Sequence, residues 1–119
     1  MNIEEFSNYC LSKKATEATF PFGETTLVLK VVGKMFAIVS MDSEIFSISL
    51  KCDPERAEEL RERYSEITPG FHLNKKHWNT VDCDGGLGDK FLFELIDHSY
   101  DMVVKGMTKK EREILSQNE

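Results

Sequence analysis

From Thr26 to Lys51 the chain reads TLVLKVVGKMFAIVSMDSEIFSISLK, three short runs rich in β-branched and aromatic residues separated by turn formers. Such residues fit the pleated surface of a sheet and lose side-chain freedom in a helix. Thr26 to Val32 and Met35 to Met41 predict two strands joined through Gly33-Lys34 in a tight hairpin. Ile45 to Lys51 predicts a third, with Ile45, Ser47 and Ser49 on one side and Phe46, Ile48 and Leu50 on the other. That alternation requires a sheet with one covered face. Consecutive strands joined by turns too short for a crossover exclude a doubly wound parallel sheet.

The flanking segments supply the cover. Ile3, Phe6, Cys10 and Leu11 recur at helical spacing, with Asn2 as the cap, and predict a helix over 3–14. Asp53-Pro54 pairs an N-cap residue with proline at the first helical position, which predicts a helix to about Tyr64 with Ala57, Leu60 and Tyr64 on one stripe. Trp78 to Cys83 predicts a further strand, ended by Asp84-Gly85-Gly86. Leu92, Leu95, Ile96, Tyr100 and Val103 hold the helical period from Asp89, the expected cap, to Lys105, where Gly106 stops it. Thr108 and Glu111 have capping-box spacing for a short last helix. The expected fold class is α/β in the broad sense, α+β more narrowly: an antiparallel β-sheet covered by helices on one face, with residues 1–119 as a single domain.

Function classes are narrowed by what the pattern lacks. No stretch approaches the roughly 20 apolar residues of a membrane helix. MNIEEFSNYC has no basic run leading into an apolar one, so no secretory signal is read and the cytoplasm is the expectation. Cys10, Cys52 and Cys83 are odd in number and far apart, which predicts reduced thiols, at least one of them in the core. Gly85-Gly86-Leu87-Gly88 lacks the Gly-Lys-Ser/Thr of a phosphate loop and is read as a turn, so no cofactor is expected. His72 and His77 stand five apart with no Cys or carboxylate beside them, and no metal is expected. His98 lies between Asp97 and Asp101 on the long helix and is read as a surface histidine with charged neighbours. Without a nucleophile beside it there is no reaction to assign, and the chain is read as not an enzyme.

The formal charge of −6 is unevenly spread. Asp53 to Glu66 concentrates acid, with six carboxylates and three arginines, whereas Ile67 to Val81 contains no Asp or Glu. Within that acid-free window, PGFHLNKKHWNTV places Lys75 and Lys76 with His72 and His77, Trp78, and Asn74 and Asn79. Cations for phosphate, a ring for stacking on bases and amides for hydrogen bonds are the three contact types of nucleic-acid recognition. Trp78 also admits the opposite reading, since a side chain of that size commonly packs in a core.

Five strings, FPFG (20–23), GKMFA (33–37), SLKCDPERA (49–57), PGFHLNKKHWNTV (69–81) and LIDHSYDMVV (95–104), occur in an order and spacing that resemble the MmcQ/YjbR family over nearly the whole chain. The resemblance implies a CyaY-like, frataxin-like fold with a winged surface proposed to meet DNA, a binding module and not an enzyme. Carried over by position, the implied nucleic-acid contacts are His72, Asn74, Lys75, Lys76, His77, Trp78 and Asn79, with Lys51 beside them at a strand end. Phe71 stands where the family more often has tyrosine and Leu73 where it often has methionine, which removes one hydroxyl contact. A frataxin-like fold also raises iron binding, but Glu4, Glu5 and Glu17 are too few and scattered for a carboxylate ridge. The alternative to DNA binding is a protein-interaction or regulatory module in which the same segment is a structural corner.

Overall fold

A computed structural model describes residues 1–70 and 73–117. Its elements in chain order are α1 (Ile3–Leu11), β1 (Thr16–Thr19), β2 (Thr26–Val31), β3 (Lys34–Ser40), β4 (Ser47–Lys51), α2 (Pro54–Arg63), β5 (Ile67–Pro69), β6 (Trp78–Asp82), α3 (Asp89–Lys105) and α4 (Lys109–Gln117). The strands form one antiparallel sheet in the order β1-β2-β3-β4-β6-β5, so the fold is α+β as the strand run requires.

Period-two alternation decides which side chains meet the helices. Leu27, Leu29 and Val31 of β2, Ile48 and Leu50 of β4, and Val81 of β6 join Phe6 and Cys10 of α1 and Leu92, Ile96 and Val103 of α3 in one buried core. All three cysteines are buried, and burial pushes their thiols up to about 12 for Cys10, 11 for Cys52 and 12 for Cys83. Thiols so far from ionising are poor nucleophiles. On the opposite side of the sheet, Thr26, Ile38, Ser49 and Thr80 remain partly accessible.

Several local expectations need correction. The hairpin turn is Val32-Gly33, one residue earlier than expected, because Val31 pairs with Lys34. Both turn residues have positive φ, 48° and 76°, the signature of the twist-matched type I′ turn. The first helix ends at Leu11 rather than near Lys14. Gly88, not Asp89, caps α3, and the Asp89 carboxylate instead accepts a 3.0 Å hydrogen bond from the amino group of Met1. Two strands were not anticipated. β1 (TEAT) has no large apolar residue and exists by pairing with β2, and β5 is a three-residue edge strand ending in Pro69, a place where proline blocks further pairing.

Other expectations match in detail. Asn2 accepts from the Glu5 N–H at 2.8 Å, and Asp53 accepts from the Arg56 N–H at 3.2 Å. Thr108 and Glu111 complete a reciprocal capping box, at 2.9 and 3.2 Å. No helix among the described residues is long and apolar enough to cross a membrane.

Candidate nucleic-acid interface

The acid-free segment contains β5 and most of β6, and its residues 74–77 form a turn that leads into β6. Asn74 shapes it: its side-chain oxygen accepts from the Lys76 N–H at 2.9 Å, and its backbone oxygen accepts from the N–H groups of His77 and Trp78. This is the local bonding that favours asparagine in turns. Arg61 of α2 clamps the turn from beneath, donating to the backbone oxygens of Lys75 and Trp78 and, at 2.6 Å, to Asn79 Oδ1. The His77 backbone oxygen accepts from the Cys52 N–H at 2.8 Å and so fastens the turn to the end of β4.

This framework sorts the expected contact residues. Lys75 and Lys76 are exposed, and so is Asn74, although its carbonyl oxygen is engaged within the turn. His77 and Lys51 are partly exposed and face one shallow concavity of about 310 Å³ with Met102, Lys105 and Gly106. Lys105, at the C-terminal end of α3, was not singled out from the sequence; only the packing of α3 against β4 brings it beside Lys51. His72 lies outside the described residues.

Trp78 and Asn79 correct the expectation of direct contact. Asn79 is 2 % exposed, faces the helix side with Val81, and accepts from Arg61, so its amide is a buried structural partner. Trp78 alternates to the other side of the sheet but is only 9 % exposed, with Gly70, the residue just after β5, as its neighbour; a Cβ on Gly70 would come within 2.8 Å of Trp78 Cβ. A ring so enclosed has no face to offer a base. The reason is positional, since both residues lie inside β6 and not in the turn.

Charge is locally uncompensated. Among the described residues, ion pairs join Met1 to Asp89, Lys13 to Asp97 and Lys34 to Glu111, and none engages Lys51, Lys75, Lys76 or Lys105. No group of three His, Cys, Asp or Glu side chains with metal-site geometry occurs among the same residues.

His98 is not the surface group expected. It is half-buried, and its Nε2 accepts a 3.1 Å hydrogen bond from the Asp53 N–H at the entry to α2. Burial first, and then the nearby Arg56 charge, hold its pKa below the usual value. The unfolded chain therefore binds this proton more readily than the folded one. The stabilisation is complete above the unfolded value of about 6.5 and is lost as the pH falls through the lower folded value. The urea midpoint is expected to drop on acidification below pH 6.5, and the decline should shrink in His98→Gln, measured over the same pH series.

The family model described as YjbR matches residues 11–102. The Escherichia coli protein YjbR, itself described as uncharacterized, is 37% identical over 117 residues, covering 98% of this chain and 99% of that one. The E. coli protein YbdF, also described as uncharacterized, is 35% identical over 96 residues, 81% of this chain and 79% of its own. The crystal structure of a Deinococcus radiodurans protein with a DUF419 domain superposes with a TM-score of 0.89 at 42% identity, covering 97% of this chain and 88% of that one.

Proposed function

This chain belongs to the YjbR family, and from that premise we propose that it is a small nucleic-acid-binding module, not an enzyme, that docks on the phosphate backbone of DNA. The observation that carries this reading is the gathering of Lys51, His77 and Lys105 around one concavity, with Lys75 and Lys76 exposed on the adjoining turn and no ion pair on any of these lysines among the described residues. Lysine ammonium groups on a surface of net negative charge mark where a polyanion is least repelled. Arg61 holds the turn from within, so the two exposed lysines sit on a braced support.

A patch this small engages few phosphates. With two to four neutralised, the slope of log affinity against log salt is expected to be roughly −2 to −4. The charge reversal Lys75→Glu with Lys76→Glu is expected to abolish binding of a labelled duplex in fluorescence anisotropy. Stability should stay within about 0.5 kcal/mol, because exposed lysines contribute little to folding. Unchanged affinity in the double variant would exclude the turn as the DNA site. Absence of any DNA binding by the unsubstituted protein would favour the protein-interaction reading.

A further inference from the structure

The sheet face turned away from α1 and α3 carries a second concavity, of about 500 Å³, that the phosphate-docking reading does not use. Its floor is built by alternation: Ile38 of β3, Ser47 and Ser49 of β4 and Thr80 of β6 lie on this face of adjacent strands. Its walls are two loop side chains, Phe22 from the FPFG turn and Leu73 from the basic turn. No charged side chain lines it. A volume of this size lies within the usual range for small-ligand pockets, about 300–1,000 Å³.

The lining specifies the occupant's chemistry. A mostly apolar surface without a counter-charge excludes a phosphate or carboxylate, whose desolvation would go uncompensated. Serine and threonine hydroxyls both donate and accept, so they suit the mixed polar edge of a heterocycle without selecting one pattern. Phe22, 65 % exposed, offers a ring face for stacking. The surroundings then say where such a ring comes from. Along β4, Lys51 follows Ser49 by two residues, about 7 Å, and along the turn Lys75 and Lys76 follow Leu73 by two and three. The two concavities share no lining residue, and what links the groove to the lysines is the chain itself: Ser49 and Lys51 lie on one strand, and Lys75 and Lys76 closely follow Leu73.

We propose that this groove accepts an unpaired nucleobase from a single-stranded nucleic acid whose phosphates lie along Lys51, Lys75 and Lys76, an inference that rests on the phosphate-docking reading. A base in a duplex is stacked and paired and cannot enter, whereas an unstacked base presents both its face and its edge.

The test compares an oligothymidylate, a strand of abasic sugar-phosphate units and a duplex, all of equal length. Each is titrated against the unsubstituted protein, Phe22→Ala, and the Lys75→Glu, Lys76→Glu double variant. Phe22 is exposed enough that its truncation leaves the fold intact, which a thermal melt verifies. The expected result is tighter binding of oligothymidylate than of the abasic strand. Phe22→Ala should weaken the oligothymidylate complex by about 5- to 150-fold, the usual worth of one base–aromatic stack, and leave the abasic and duplex affinities unchanged. Equal loss on all three ligands, or none on oligothymidylate, would overturn the base site. If the double-glutamate variant then still lost binding, phosphate docking would stand without it. Free thymidine shifting the Ile38 methyl resonance with no strand bound would assign the groove to nucleosides and overturn the strand as its source.

Discussion

Trp78→Ala is expected to cost about 3–5 kcal/mol of folding stability, the usual range for deleting a large buried aromatic side chain. At this chain length the melting temperature should fall by roughly 4 °C per kcal/mol, or about 12–20 °C. Trp78 is 9 % exposed, its backbone N–H donates to Asn74 at 3.0 Å, and its backbone oxygen accepts from Gly70 at 2.9 Å. Removing the indole therefore empties space at the base of the turn that carries Lys75 and Lys76. Thermal melts and DNA titrations on the same samples separate the two roles once assigned to this residue. A variant that melts like the unsubstituted protein but binds DNA about 1–3 kcal/mol more weakly would identify an exposed stacking ring, contrary to the packing described above.

The second large effect is expected at Ser99, a fully buried polar residue of α3. Its hydroxyl donates to the Phe36 backbone oxygen at 2.5 Å and accepts from the Lys51 N–H at 2.8 Å. β3 and β4 pair from Ala37 opposite Leu50 to Val39 opposite Ile48, so Ser99 bridges the strands just beyond the last pair. Ser99→Ala strands one part-buried donor, the Lys51 N–H, and one buried acceptor, the Phe36 oxygen. At about 1–3 kcal/mol for each of the two unsatisfied groups, the loss should be about 2–6 kcal/mol in urea unfolding. Because Lys51 is one of the two partners, faster amide exchange at Lys51 than at Ile48 should accompany it. A loss below about 0.5 kcal/mol, the range of a surface change, would show that the bridge contributes nothing.

Ser99 also shows where sequence reading stops. The periodicity of α3 placed Leu92, Leu95, Ile96 and Val103 inward correctly, and Ser99 falls on the same stripe. A serine on an apolar stripe carries no signal of its own, and its partners on β3 and β4 are 63 and 48 residues away. Lys105 and Arg61 escaped notice for the same reason: each is an unremarkable charge on a helix until packing places it beside β4 or beneath the basic turn.

What the sequence alone determined is local. Side-chain alternation specified the central strands and their covered face, helical spacing specified α1, α2 and α3, and the Asn2, Asp53 and Thr108 caps specified where three helices begin. Each of these depends on residues within a few positions of one another. It also located the acid-free stretch around Lys75 and Lys76. Tertiary structure decided the rest: β1 and β5, which have too little apolar surface to form without a neighbouring strand; the inward turn of Asn79 and the enclosure of Trp78; and the meeting of Lys51, His77 and Lys105. The physical reason is that burial is a property of pairs. Whether a side chain in β6 meets solvent, Arg61 or Gly70 depends on the strands and helix that close over it, and these come from distant parts of the chain.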